Sequence, residues 1–175
     1  MDTGINRKHT PKPKMTKVTD LGIFKPYIFP PDFCLVIDTR EQRPLFTTHP
    51  PKGLIMVRDT LTHGDYSIRG LENKVAVERK GITDLVSYMT TERKRTKAKL
   101  EAMEPMMFKA LVVESYWDDH FLPKFYSTVS PEVIRQSLVS FTVKFGLNIF
   151  VHPVREEIER WILDRLIYFH KLIRS

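Results

Sequence analysis

The sequence predicts an α/β fold, a central mixed sheet flanked by helices, and three observations carry that prediction. Short apolar runs of strand length recur at 33–37, 74–78 and 111–114. Segments with helical apolar spacing alternate with them, over 82–89, 131–145 and 156–173. The 175 residues amount to one domain, long enough to bury a sizeable core and without internal repeat.

In chain order, residues 1–30 form a basic, proline-rich arm. Arg7, Lys8, Lys12, Lys14 and Lys17 lie among Pro11, Pro13, Pro26 and Pro30, which favours extended chain over helix. The arm reads either as a segment that wraps nucleic acid or a partner subunit, or as a solubilising tail. Leu21 to Phe29 is apolar enough to dock on the domain expected over 31–175.

Phe33-Cys34-Leu35-Val36-Ile37 reads as a central strand delivering Asp38-Thr39-Arg40-Glu41 at its end, where parallel sheets gather ligands. The lone thiol, Cys34, is a small apolar residue of that strand, since one cysteine makes neither a disulfide nor a metal cluster. Leu54-Ile55-Met56-Val57 is the next strand, and the chain returns through Thr60-Leu61-Thr62-His63 to Gly64-Asp65-Tyr66. A turn before an inward-facing acid favours a residue without a Cβ, hence Gly64. Lys74 to Glu78 is a buried strand, and Gly81 ends it before the helix from Ile82 to Met89, with Thr83 or Asp84 as its cap.

Arg93, Lys94, Arg95, Lys97 and Lys99 cluster on the following helix, interleaved with Glu92, Glu101 and Glu104. Either they track a phosphate backbone or they form a solvated face with internal pairs. Nearness to the motifs below favours phosphate. Leu111-Val112-Val113-Glu114 is a further core strand, followed by Tyr116-Trp117-Asp118-Asp119-His120-Phe121, whose aromatics either stack on bases or cover the core. Ser130-Pro131-Glu132 starts a helix that runs to Gly146, 147–151 is a strand, and Glu156 to Ile173 is the last helix. The apolar stripe of that helix is wide enough to bury partly against a second copy.

The chemistry concentrates in Gly64-Asp65-Tyr66 and Glu78-Arg79-Lys80, with Asp84 close behind. Carboxylates from Asp65 and Glu78, with Asp38 as a third acid, are the hard oxygen ligands that hold Mg²⁺ or Mn²⁺ beside a phosphate, where such an ion activates water and offsets leaving-group charge. Lys80 lies two residues beyond Glu78 and shares its face of the strand, where an ammonium can orient water or steady the transition state. Arg79 points to the other face. Arg40 suits bidentate phosphate contact, and Glu41 can orient Arg40 or Lys80. His63 adjoins the Gly-Asp turn and reads either as a substrate contact or as a polar loop residue.

The succession Val36-Ile37-Asp38-Thr39-Arg40-Glu41, Gly64-Asp65-Tyr66, Val77-Glu78-Arg79-Lys80 and Asp84-Leu85 resembles the nuclease domain of the XPF/Hef/Mus-type structure-specific endonucleases, whose signature is GD, a variable gap, then ERKxxxD. The match is complete at these positions, continues more loosely to Ser175, and departs where Ser115 stands in place of the family's common Gly. The resemblance implies a restriction-endonuclease-like sheet, and an endonuclease that uses Mg²⁺ or Mn²⁺ to cut DNA at flaps, forks or junctions, leaving a 5′-phosphate and a 3′-hydroxyl. It assigns Asp38, Asp65 and Glu78 to the metal and Lys80 to catalysis, with Arg40, Glu41, Arg79 and Asp84 in support. Arg40, Arg93, Arg95, Lys97 and Lys99 would then meet nucleic acid. It further implies a homodimer. The family's usual helix-hairpin-helix module is not in this sequence, so a stand-alone nuclease domain served by a separate DNA-targeting partner is expected.

A net charge of +7 suits a polyanionic partner. With no Walker loop, no nucleotide cofactor is expected, and with no signal-peptide h-region or membrane-length apolar run, an intracellular protein without membrane contact is. The alternative is a non-catalytic nucleic-acid-binding or scaffolding partner of the same fold, against which the clustered acids weigh, because mutual repulsion makes them costly to keep.

Overall fold

The strongest strand former is β5 (Phe108–Glu114), whose five central residues are all buried, as befits a strand covered on both faces. In the computed structural model of the chain, which describes residues 26–116 and 129–175, it belongs to a six-stranded sheet. Its companions are β1 (Leu35–Asp38), β2 (Met56–Asp59), β3 (Tyr66–Ile68), β4 (Val75–Gly81) and β6 (Leu147–His152), in the order β2-β1-β3-β4-β5-β6. β1 pairs parallel with β2, and β4, β5 and β6 are mutually parallel, while β3 runs antiparallel to both of its neighbours. The sheet is therefore mixed, as the sequence predicts.

Alternation along the strands sends side chains into two cores. Val75 and Val77 of β4 and Ala110 and Val112 of β5 pack under α4 (Arg155–Arg174), through Ile158, Ile162, Leu163 and Leu166. Ala76, Leu111 and Val113 pack on the other side, beneath α1 (Ile82–Met89), α2 (Arg93–Ala102) and α3 (Pro131–Phe145). Most of the α4 stripe is thus consumed by the domain's own core, leaving Tyr168 and Leu172 exposed. Tyr27 and Phe29 dock on the same core, stacked in series with Phe33 at centroid distances of 5.6 and 5.7 Å. Residues 1–25 of the predicted arm, with Leu21, and the stretch from Trp117 to Phe121 lie outside the described residues.

The α3 boundaries follow their sequence signals. The Glu132 N–H donates to Ser130 Oγ at 3.3 Å, Pro131 opens the first turn, and Gly146 closes the helix at φ +63. Two expectations shift. β2 begins at Met56 rather than Leu54, because Leu54 turns into the core while Ile55 O accepts the Leu35 N–H at 2.9 Å. Neither Thr83 nor Asp84 caps α1. Gly81, held in register with Glu114 as the last residue of β4, is itself the N-cap, so strand passes directly into helix.

One buried group is costly. His170 is 1% exposed, neither ring nitrogen has a hydrogen-bond partner, and Nε2 lies 3.5 Å from Asp32 Oδ1. Burial holds its pKa below the ordinary 6.5, so the stability that its neutral form supports is lost as pH falls below that value. His170→Leu is expected to raise the thermal midpoint by a few degrees, about 1 kcal/mol, and to reduce the loss of stability between pH 7 and pH 5. Melting curves at the two pH values read both effects.

Candidate active site

β1, β3 and β4 lie side by side, and the antiparallel course of β3 brings its first residues to the rim where β1 and β4 end. The Asp38 N–H donates to Asp65 O and the Asp65 N–H to Val77 O, both at 2.8 Å, which sets Asp38, Asp65 and Glu78 on neighbouring strands at one rim. All three line a cleft of about 740 Å³. Gly64 makes the entry to Asp65 possible. It sits at φ +75, where a Cβ would come within 2.9 Å of Val77 O.

Asp65 and Glu78 form the acidic centre. The Asp65 carboxylate accepts the Arg79 backbone N–H at 2.7 Å. Burial first, and the charge of Glu78 second, push its pKa from 3.8 up to about 7. Glu78 is 7% exposed and is held ionised against that burial by two ammonium groups, Lys99 at 2.6 Å from Oε2 and Lys80 at 2.8 Å from Oε1. Lys80 shares the Glu78 face of β4, as the two-residue spacing predicts, and lies 5.6 Å from the centre of the Tyr88 ring.

Among the described residues no group of three or more acidic, histidine or cysteine side chains is arranged to hold a metal ion. Two carboxylates nevertheless fit Mg²⁺ or Mn²⁺, which keep several waters and complete their shells with substrate phosphate rather than with a protein cage.

Asp38 differs from the other two acids. Its Oδ1 accepts the Arg40 backbone N–H and Nε at 2.7 and 2.8 Å, and its Oδ2 accepts Arg40 Nη2 and the Leu61 N–H at 2.9 and 2.7 Å. This fork lowers the carboxyl pKa to about 2, with Arg40 as the largest cause. Asp38 is thereby fully engaged in pinning Arg40, whose side chain remains 67% exposed at the cleft, and the loop that carries Leu61.

Arg79 faces the α4 side. It contacts Glu114 Oε2 at 2.5 Å through Nη2, and its Nη1 is 3.5 Å from Glu41. Arg155, in the first turn of α4, reaches the same Glu114 oxygen at 2.9 Å and donates to the carbonyls of Arg43 and Pro44. The network ties β4 and β5 to the loop after β1, so Arg79 and Glu41 support the rim. Glu114 and Arg155 are absent from the sequence-based set of site residues. Glu114 ends its strand as Asp38 ends β1, and that repetition is the signal that marks it; nothing in the local sequence marks Arg155.

The basic helix splits. Arg95 and Lys99 line the cleft, as do Asp84 and His63, whose pKa is lowered by burial and then by Lys99. Arg93 and Lys97 do not. Arg93 packs on α3, donating to Ser137 Oγ at 2.5 Å with its guanidinium 5.1 Å from the centre of the Phe141 ring. The helix buries only Thr96 and Leu100, so the face it turns to the domain, which includes Arg93, is set by few residues.

The family model described as ERCC4 domain matches residues 37–164. Among solved structures, XPF from Aeropyrum pernix is similar with a TM-score of 0.58 at 19% identity, over 75% of this chain and 65% of that one. The structure of the same protein in complex with DNA gives 0.62 at 16% identity, over 79% of this chain and 65% of that one. The chain thus matches just under two thirds of the length of either, and no curated protein matches it in sequence. A match that takes in Asp38, Asp65, Glu78 and Lys80, together with the shared sheet, places the chain in the ERCC4 domain family, with the nuclease-domain fold of XPF.

Proposed function

We propose that this domain is a divalent-metal-dependent DNA endonuclease that takes branched DNA, flaps or forks, and holds Mg²⁺ or Mn²⁺ on Asp65 and Glu78. The observation that carries the reading is the pairing of those two carboxylates with Lys80 at one sheet rim, inside a cleft that Arg40, Arg95 and Lys99 also line. Membership of the ERCC4 domain family, and the DNA complex of XPF from Aeropyrum pernix, support DNA as the polyanion.

When bound, the ion supplies Lewis-acid activation of water and stabilises charge on the phosphate. Asp65 and Glu78 fix its place. Lys80, steadied by Glu78, presents an ammonium where charge accumulates on the phosphate oxygens. Arg40, locked by Asp38, offers its guanidinium to an adjacent phosphate, and Arg95 extends the basic border along the strand. Asp38 acts here through Arg40 rather than as a ligand.

The test is cleavage of labelled single-stranded, duplex, flap, fork and four-way DNA with Mg²⁺, Mn²⁺ or EDTA, by wild type, Glu78→Gln and Lys80→Met. Metal-dependent cutting of flaps or forks, lost in both variants, is expected, together with a metal-dependent rise in melting temperature that Glu78→Gln lacks. Binding to all of these DNAs without cutting under any metal would replace this reading with that of a non-catalytic nucleic-acid-binding partner.

The pKa of Asp65 adds a pH dependence. An acid raised to about 7 in the folded protein supports stability that is full below about 3.8 and is lost as pH rises through 7. Metal must displace that proton. Apparent Mn²⁺ affinity is therefore expected to rise about tenfold per pH unit from pH 5 to 7 and then to level off, and Asp65→Asn should flatten the slope. Titration calorimetry at four pH values reads it.

A further inference from the structure

Glu78 is the only carboxylate among the described residues that two lysines contact at hydrogen-bond distance, one on each oxygen. Lys80 is a fixture of the strand. It shares a face with Glu78 by register, and its ammonium also lies against the Tyr88 ring. Lys99 comes from a different element, the last turn of α2, and reaches Glu78 with the whole length of its side chain.

Resting on the reading above, we propose that Lys99 is a positioning residue that stands in for the divalent cation on Glu78 Oε2 and transfers to substrate phosphate when the cation enters, coupling metal uptake to DNA binding.

Like-charge repulsion favours such a move. Glu78 alone faces two ammonium groups, Lys80 at 2.8 Å and Lys99 at 2.6 Å, so a divalent ion arriving on the same carboxylate meets charges of its own sign in a partly dry site. Of the two ammonium groups, Lys99 is the one held neither by the Glu78 strand nor against the Tyr88 ring, since it comes from α2. Beside Glu78 lies a second cavity of about 160 Å³, lined by Lys80, Tyr88, Arg95, Thr96 and Lys99, which gives its head group room. Lys99 also lines the main cleft next to Arg95, so an entering phosphate meets both cations of α2. By reciprocity, DNA that draws Lys99 away clears Glu78 for the ion to the same degree that the ion frees Lys99 for DNA.

Mn²⁺ titration calorimetry of the intact protein without DNA tests this, with wild type, Lys99→Met, Lys99→Gln, Arg95→Met and Glu78→Gln at one pH and salt. Lys99→Met and Lys99→Gln are expected to bind Mn²⁺ about tenfold more tightly than wild type, and Arg95→Met, which loses the same charge without a contact to Glu78, within about twofold. The factor by which Ca²⁺, used as a non-cleaving ion, tightens fork binding should be smaller in the Lys99 variants than in Arg95→Met. Unchanged or weaker Mn²⁺ binding in both Lys99 variants, with binding abolished in Glu78→Gln, overturns the role of Lys99 and leaves the metal site standing. Mn²⁺ binding that Glu78→Gln does not weaken overturns both.

Discussion

Glu78→Gln is expected to lower metal-dependent cleavage on the order of a thousandfold or more while the domain stays folded. The substitution conserves shape and removes only the charge, so what is lost is the ability to hold a divalent ion together with Asp65. One of Lys80 and Lys99 keeps the amide oxygen to donate to, while the other faces the amide NH2, which cannot accept, and turns to solvent in the cleft. A second signature accompanies the loss. The charge of Glu78 is the second cause of the raised Asp65 pKa, so that pKa should move down from about 7 in the variant, with burial keeping it above the ordinary 3.8. Single-turnover cleavage and a carboxyl NMR titration measure the two effects, and cutting retained within tenfold of wild type would rule Glu78 out as a ligand.

Gly64→Ala is expected to cost about 3 kcal/mol of stability, the largest effect of any single methyl added to the rim. Part of it is conformational, because φ +75 is a backbone state that side chains other than hydrogen resist. The larger part is contact. The new Cβ would stand 2.9 Å from Val77 O and 3.1 Å from both Val77 N and the Ala76 Cβ, and Val77 O is the acceptor for the Asp65 N–H. Relief would pull Asp65 away from Glu78, so metal binding should weaken along with the fold. Gly70→Ala is the control. Gly70 sits at φ +80 with nothing within 4 Å of its Cβ position, so it should lose only about 1 kcal/mol. Denaturant titration of both variants separates strain from collision, and equal losses would show that collision contributes nothing.

Much of this arrangement was legible in residue order. Period-two alternation put Lys80 with Glu78 and Arg79 opposite, and the structure places Arg79 on Glu114 across the sheet. Ser130, Pro131 and Gly146 marked α3 because each acts through its own backbone or first neighbours. What escaped depends on distance. Periodicity carries no strand direction, and β3 at three residues is too short to announce itself, so its antiparallel course had to come from pairing. The saturation of Asp38 arises from a loop that returns Leu61 to it, and the contact of Lys99 with Glu78 arises from how α2 is rotated on the sheet. Arg93 turns onto α3 and not into the cleft for the same reason, since a helix with two buried residues leaves its orientation to tertiary packing.

The short antiparallel strand also governs when the domain can act. β3 is held on one side by residues some thirty positions earlier and on the other by Val77, so neither neighbour alone fixes Asp65. The pairing with β1 is non-local and forms late and slowly compared with a helix or with a hairpin such as β3–β4. A nascent or partly unfolded chain therefore carries its acids dispersed along the backbone, and the proposed nuclease site is assembled only in the step that closes the sheet. Protease resistance of the 56–78 segment and nuclease activity should accordingly appear together during refolding, with no active intermediate between them.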